Sequence, residues 1–482
     1  MKNKGKFRAA VTNQRLEGAD RTAKQPRQGR MAWESPSSNA KQRPGKQKQR
    51  RGENAGSIIP INPQVSTLPN GLRVATCAMP ASQTVAVGVW CGIGARHEYA
   101  RVGGISHFLE HLLFKGTKKR TARRISEEIE GVGGDLNAYT AEERTCYYAA
   151  ASADHLHRVT EVLSDMYCNS LLKSAEVERE RGVIVEEIEM IRDEPAQHVQ
   201  ELLTAETWKG ASLARPITGT KQSLSSISRT DLLTHLKSHY HAGSTILTAA
   251  GAVEHDEVME FAKRFLGRLP KGSSPRHLPP PGRQTSPRIV IEERESQQTQ
   301  LALSFRGVGA KDPRRYAVSL LHVLLGGNMS SRLFQELREK RGLCYSVSTA
   351  LSTHADCGAF EVALGLDGEN VAKALGLILK ECDRITAKGP SVAELKRACD
   401  YSIGTSRMAL ERAATQNYRL GTSLLTYGKI IPPEQVYERL AKVTPEEIRK
   451  AASQVLNRRT LCLAMVGPGP SREGILGLIR GN

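Results

Sequence analysis

Between residues 267 and 287 the chain reads GRLPKGSSPRHLPPPGRQTSP. Proline fixes φ and lacks a backbone donor, and glycine and serine favour turns, so neither a helix nor a sheet ladder runs through it. The stretch interrupts a chain of 482 residues, too long for one ordinary hydrophobic core, and reads as an interdomain linker. The pattern of elements restarts beyond it. HLLFKGTKKRTARRISEEIEGVGGDLNAYT from His111 can be laid beside HVLLGGNMSSRLFQELREKRGLCYSVST from His322. Each gives a helix, a glycine-bearing turn, a charged helix, a further glycine and a strand, in that order. The fold class expected is α+β: two similar domains over 65–266 and 288–478, each a mainly antiparallel sheet packed with helices.

Within the first half, 72–79 and 84–93 read as paired strands after a Pro69-Asn70-Gly71 turn. Helices are expected near 102–115 and 122–131, a strand pair over 136–151, and helices over 155–170 and 175–192. In the second half strands are expected at 289–293, 299–306, 346–352 and 359–366, with helices at 314–325 and 331–340.

Charge is unevenly spread. Met1 to Glu53 holds 15 Lys and Arg against 4 Asp and Glu, so this arm carries +11 of the chain's +19. Residues 1–58 are poor in large apolar groups and are read as a basic disordered tail. Contact with nucleic acid or an anionic surface is expected only through this tail. It lacks the apolar core of a secretory signal, and Glu17, Asp20 and Glu34 weigh against a mitochondrial presequence. No run reaches the ~18 apolar residues of a membrane span. The nine cysteines are scattered without a C-x-x-C pair, which suits buried thiols in a reducing compartment. A cytoplasmic location is expected, with the mitochondrial matrix as the alternative.

The strongest local signal is His107-Phe-Leu-Glu110-His111. Positions i and i+4 share a helix face, so both imidazoles can reach one ion, and Glu110 projects nearby. Two neutral imidazoles suit zinc, and a neighbouring carboxylate can accept a proton from water, as in H-x-x-E-H metallopeptidases. A third ligand must come from elsewhere. The helix around Glu180-Arg181-Gly-Val-Ile-Val-Glu186-Glu187-Ile-Glu189 supplies candidates, and spacing alone leaves 180, 186, 187 and 189 open.

HFLEHLLFKGT, then GGDLNAYTAEERTCYY, then ERERGVIVEEIEMIRDEP resembles the insulinase, pitrilysin and mitochondrial processing peptidase family, the likeness running from about residue 65 to 466. The resemblance implies a processing-peptidase-like metallohydrolase fold binding one Zn²⁺ per chain, with the metal site in the first domain only. It makes His107 and His111 zinc ligands and Glu110 the general base. The third ligand falls on Glu187, 76 residues after His111, and Glu180 becomes the supporting acid that orients a ligand histidine. Arg338 and Tyr345, in RLFQELREKRGLCYSV, resemble the Arg-x6-Tyr pair that meets the substrate and the developing oxyanion. Taken alone they read as a surface charge and a core aromatic. Asn137 and Ala138 resemble the strand edge on which substrate is laid as an added strand; Asn137 also reads as a turn residue.

The function expected is zinc-dependent endopeptidase action on short or unfolded polypeptides, in a chamber enclosed by a homodimer or a heterodimer with a related subunit. Alternatives are an inactive structural or partner subunit of the same fold, or a processing peptidase subunit that removes presequences. His97, His239, His241 and His354 lack a ligand motif. His322 stands where the repeat would place a second site, without histidine or glutamate at Ala317, Val318 and Ser319.

Overall fold

Strand-forming segments recur in one order before and after the stretch 267–287 and build two sheets. The computed structural model describes residues 62–273, 278–280, 282 and 284–481. The tail expected over 1–58 lies outside the described residues, as do positions 274–277, 281 and 283 of the linker. The first sheet contains β1 (Gln64–Thr67), β2 (Arg73–Ala78), β3 (Thr84–Cys91), β4 (Asp135–Thr140), β5 (Thr145–Ser152) and β6 (Thr245–Gly251), ordered β1-β2-β6-β3-β5-β4. The second contains β7 (Arg288–Glu292), β8 (Thr299–Gly307), β9 (Cys344–Thr353), β10 (Gly358–Leu366) and β11 (Cys462–Val466), ordered β7-β11-β8-β10-β9.

Strands β2 to β6 match β7 to β11 one for one in position. β2 runs parallel to β6, as β7 does to β11, and the remaining pairs are antiparallel. The α+β class and the repeat are therefore visible as topology, with β1 an addition to the first copy. One pairing differs from expectation. β2 and β3 are not neighbours, because β6 lies between them, Arg73 opposite Ile246 and Val85 opposite Gly251. All three strands are largely buried. An apolar run on both faces marks a central strand without naming its partners.

Five helices matter for the site: α1 (Ile105–Leu113), α2 (Ala122–Glu130), α3 (Leu156–Asn169), α4 (Ser174–Asp193) and α5 (Pro195–Thr207). Phe108, Leu109 and Leu112 of α1 and Val159 and Leu163 of α3 pack with Val85, Val87 and Val89 of β3. In the second half Leu320 and Leu321 of the helix Arg315–Gly326 meet Leu301, Leu303 and Phe305 of β8. The helix expected over 331–340 is present over 332–339, but from Phe334 to Glu339 it is a π-helix, a form that relaxes the usual ladder and recurs at functional sites.

Each half also covers the other's sheet. Val199 and Leu203 of α5 pack on Ala302, Cys462 and Ala464. The helix Ala413–Tyr427 returns to the first sheet. There Thr248 donates to Asn417 at 2.5 Å, and Gly421 lies so close to Trp90 that a Cβ would sit 2.1 Å from the indole. The nine cysteines are free thiols, and no described helix is long and apolar enough to cross a membrane.

Candidate metal centre

Helix α1 begins without a capping side chain. Gly104 stands at its N-cap with φ of 90°, and a Cβ there would lie 2.6 Å from the Thr218 carbonyl oxygen. Only glycine takes this left-handed, tightly approached position without strain. The exposed amides are instead met by Glu98, whose carboxylate accepts from Gly104 N at 2.7 Å and Ser106 N at 2.9 Å. With its apolar face in the core, α1 turns His107 and His111 towards α4, their ring centroids 4.6 Å apart.

On α4 the buried residues are Val177, Glu180, Ile184, Glu187 and Ile191, a stripe of threes and fours that carries two carboxylates inward. Glu186 is exposed, and Glu189 pairs with Lys221. Of the four glutamates that spacing left open, 180 and 187 thus face α1. The apolar stripe of Val177, Ile184 and Ile191 runs through these two glutamates, a choice that the sequence left open.

Glu187 Oε2 lies 3.7 Å from His107 Nε2 and 3.6 Å from His111 Nε2, and ligand atoms of the three residues all fall within 4.8 Å of one another. Tetrahedral zinc with bonds of ~2.0–2.1 Å holds neighbouring ligand atoms about 3.4 Å apart. Glu187 Oε2 is buried without a hydrogen-bond partner, an expensive state for a carboxylate oxygen unless a cation sits beside it. Burial, aided by His111, lowers the His107 pKa to about 3, so this imidazole is neutral with a free lone pair. Burial raises the Glu187 pKa against the pull of His111. This donor set and its unmet oxygen fit a zinc ion.

Two further carboxylates surround the three. Glu180 Oε2 lies 3.3 Å from His111 Nδ1, and its Oε1 is 2.9 Å from Lys115 Nζ. Burial works to raise the Glu180 pKa, but these two partners prevail and hold it below the usual carboxylate value. Glu110 Oε2 accepts from the Thr140 hydroxyl at 2.6 Å. Burial pushes Glu110 up to about 7, opposed by that bond and by His111, within the range suited to a proton acceptor near neutrality.

Asn137 and Ala138 lie on β4, the outer strand of the first sheet, where Asn137 Oδ1 accepts from the Ala138 amide at 2.8 Å. Arg338 and Tyr345 come together in the second half. The guanidinium lies 4.9 Å from the Tyr345 ring centroid and 4.8 Å from that of Phe334. Tyr345 is 79% exposed, so the core-aromatic reading of it fails. Sequence reasoning did not single out Glu98, Lys115 or Thr140.

Residues 73–221 match the family described as Insulinase (Peptidase family M16), and 226–401 match that described as Peptidase M16 inactive domain. A protein called an uncharacterized zinc protease in Mycobacterium leprae is 38% identical over 414 residues, 85% of this chain and 92% of that protein. The chain belongs to the insulinase family, peptidase family M16. Further zinc proteases so named occur in Streptomyces coelicolor (36% identical; 84% of this chain, 89% of that one) and in Bacillus subtilis (32%; 83% and 97%). These names support the zinc-protease class for an insulinase-family chain with this donor set.

Among solved structures, a protease from Helicobacter pylori has a TM-score of 0.81 at 21% identity, covering 85% of this chain and all of that one. A chain of complex III2 from Candida albicans reaches 0.75 at 19%, covering 86% of this chain and 99% of its own. At such identities the likeness establishes the insulinase-family fold and nothing about activity.

Proposed function

We propose that this insulinase-family chain is a zinc-dependent endopeptidase, with His107, His111 and Glu187 holding one ion per chain. The observation that carries the reading is the buried, unpartnered Glu187 Oε2 set at nearly equal distances from two imidazoles. Bound there, zinc would act as a Lewis acid, polarising the scissile carbonyl and acidifying water. Glu110 takes the proton of the attacking water and hands it to the leaving amine. Glu180 fixes the orientation of His111 through Nδ1 and raises its basicity. Asn137 and Ala138 offer the β4 edge to an extended polypeptide, the Asn137 side chain releasing the Ala138 amide it now covers. Arg338 and exposed Tyr345 steady the oxyanion and the substrate.

The two sheets support reading a catalytic domain over 65–266, a linker over 267–287 and a metal-free domain over 288–478. Substrates are short or unfolded polypeptides that enter a chamber between two chains, identical or related. Bacterial relatives and nine free thiols favour the cytoplasm. A structural role, to which the fold shared with complex III2 lends itself, is less favoured because the whole donor set is present here.

The deciding experiment is hydrolysis of an unfolded polypeptide by the wild type and by Glu110→Gln. The variant is expected to bind zinc as the wild type does and to lose at least 100-fold in kcat. Full activity in the variant, or in chelator-treated protein with no zinc bound, refutes the reading.

A further inference from the structure

Arg96 is wholly buried at the rim of the first sheet, yet its partners come from three parts of the chain. Its guanidinium donates to Glu143 Oε1 at 2.5 Å, in the β4–β5 turn. It grips Asp356 with two bonds of 2.7 and 2.8 Å, in the β9–β10 turn of the second half. Its Nε donates to the Leu278 carbonyl at 3.0 Å, in the stretch that joins the halves. Glu143 also accepts from Ala355 N at 3.0 Å, so both acids are tied into one node. A buried guanidinium with a bidentate carboxylate is geometrically demanding, and losing one partner leaves the other charge buried.

Two residues later comes Glu98, the acid that meets the first amides of α1. The short 3-10 turn Ala95–His97 joins the two. Its backbone is pinned to the β4–β5 turn: Arg96 N donates to Glu142 O at 2.7 Å and Ala95 N to Ala141 O at 3.2 Å. Gly94 approaches so closely that a Cβ would lie 2.0 Å from the Ala141 oxygen. That same turn begins at Thr140, which holds Glu110. One stiff segment therefore ends in the second half at one side and on the histidine helix at the other.

We infer that Arg96 and Glu98 form a strap that sets the position of the histidine-bearing helix from the second half. In this inference the metal-free half has a task beyond substrate contact: it fixes, within its own chain, where His107, Glu110 and His111 stand. Arg96, Glu98 and Asp356 are positioning residues. The zinc part of the inference rests on the ligand assignment proposed above, while the mechanical part does not.

The test uses the full chain with Asp356→Asn, Glu98→Gln, the double variant and Asp356→Glu. Hydrogen exchange of the metal-free protein reads the first turn of α1 directly. Competition with a chelator of known affinity reads zinc binding. Asp356→Asn is expected to speed exchange at 104–108 at least fivefold and to weaken zinc binding about tenfold. Asp356→Glu recovers most of both. The double variant loses less than the product of the single losses, since both cut one strap. Unchanged α1 exchange and zinc affinity in Asp356→Asn, with only a lower melting temperature, overturn the inference. If the wild type binds no zinc the ligand assignment fails, and the exchange measurement still decides the strap. Asp356 is a half-exposed turn residue, so its variant remains available should Glu98→Gln fail to fold.

Discussion

Glu180 shows how finely single groups are arranged around the histidines. One oxygen faces His111 and the other is 2.9 Å from the Lys115 ammonium. Removing that cation in Lys115→Met frees the carboxylate to rotate, and zinc affinity should fall about tenfold, with Lys115→Arg retaining most of it. Chelator competition measures both. Thr140→Val removes the hydroxyl donor that holds Glu110 down. Because the base works deprotonated, the acid limb of the pH–rate profile should move to higher pH and kcat at neutrality should fall several-fold. An unmoved limb would dissociate Thr140 from the base. His107, Glu110 and His111 were legible as one pentapeptide, because their chemistry and their helical spacing coincide. Choosing Glu187 over Glu186 needed a helix face. Lys115 and Thr140 carry no spacing signal, since a lone ammonium or hydroxyl takes its meaning from what folding brings beside it.

Among the elements, α1 depends on an unusual cap. Burial raises Glu98 to about 7 from an ordinary 4.5, against the bonds from Ser106 and Gly104. The folded chain thus holds a proton that the unfolded chain releases earlier. The stability from this group is full below pH 4.5 and is lost as pH rises through about 7. The difference is on the order of 3 kcal/mol, and Glu98→Gln should flatten that part of the stability–pH curve in urea titrations. Between 72 and 192, and between 289 and 366, helix and strand positions were largely legible from periodicity. The π form at Phe334–Glu339 was not, because its composition is that of a good α-helix and the departure lies in the backbone ladder. The place of β6 between β2 and β3 was also hidden, since pairing of fully apolar strands is decided by the assembled sheet.

For the molecule as a whole, the repeat read from glycine turns and charged helices was a sound guide, while the sheet on which a helix comes to lie is set by the assembled fold. With α5 on the second sheet and Ala413–Tyr427 on the first, neither half keeps its own cover if the other melts. Residues 62–481 should therefore unfold in one thermal transition by calorimetry, and two resolved transitions would contradict it. Zinc at a hundred times its dissociation constant should add about 2.7 kcal/mol, raising the melting temperature, and chelator should reverse the gain. The return of a late helix to an early sheet also sets a timetable for biosynthesis. Thr248 and Trp90 emerge from the ribosome long before Asn417 and Gly421, which shield them. A nascent or prematurely terminated chain therefore carries a bare sheet face, and quality control has a simple mark by which to tell an unfinished copy from a complete one.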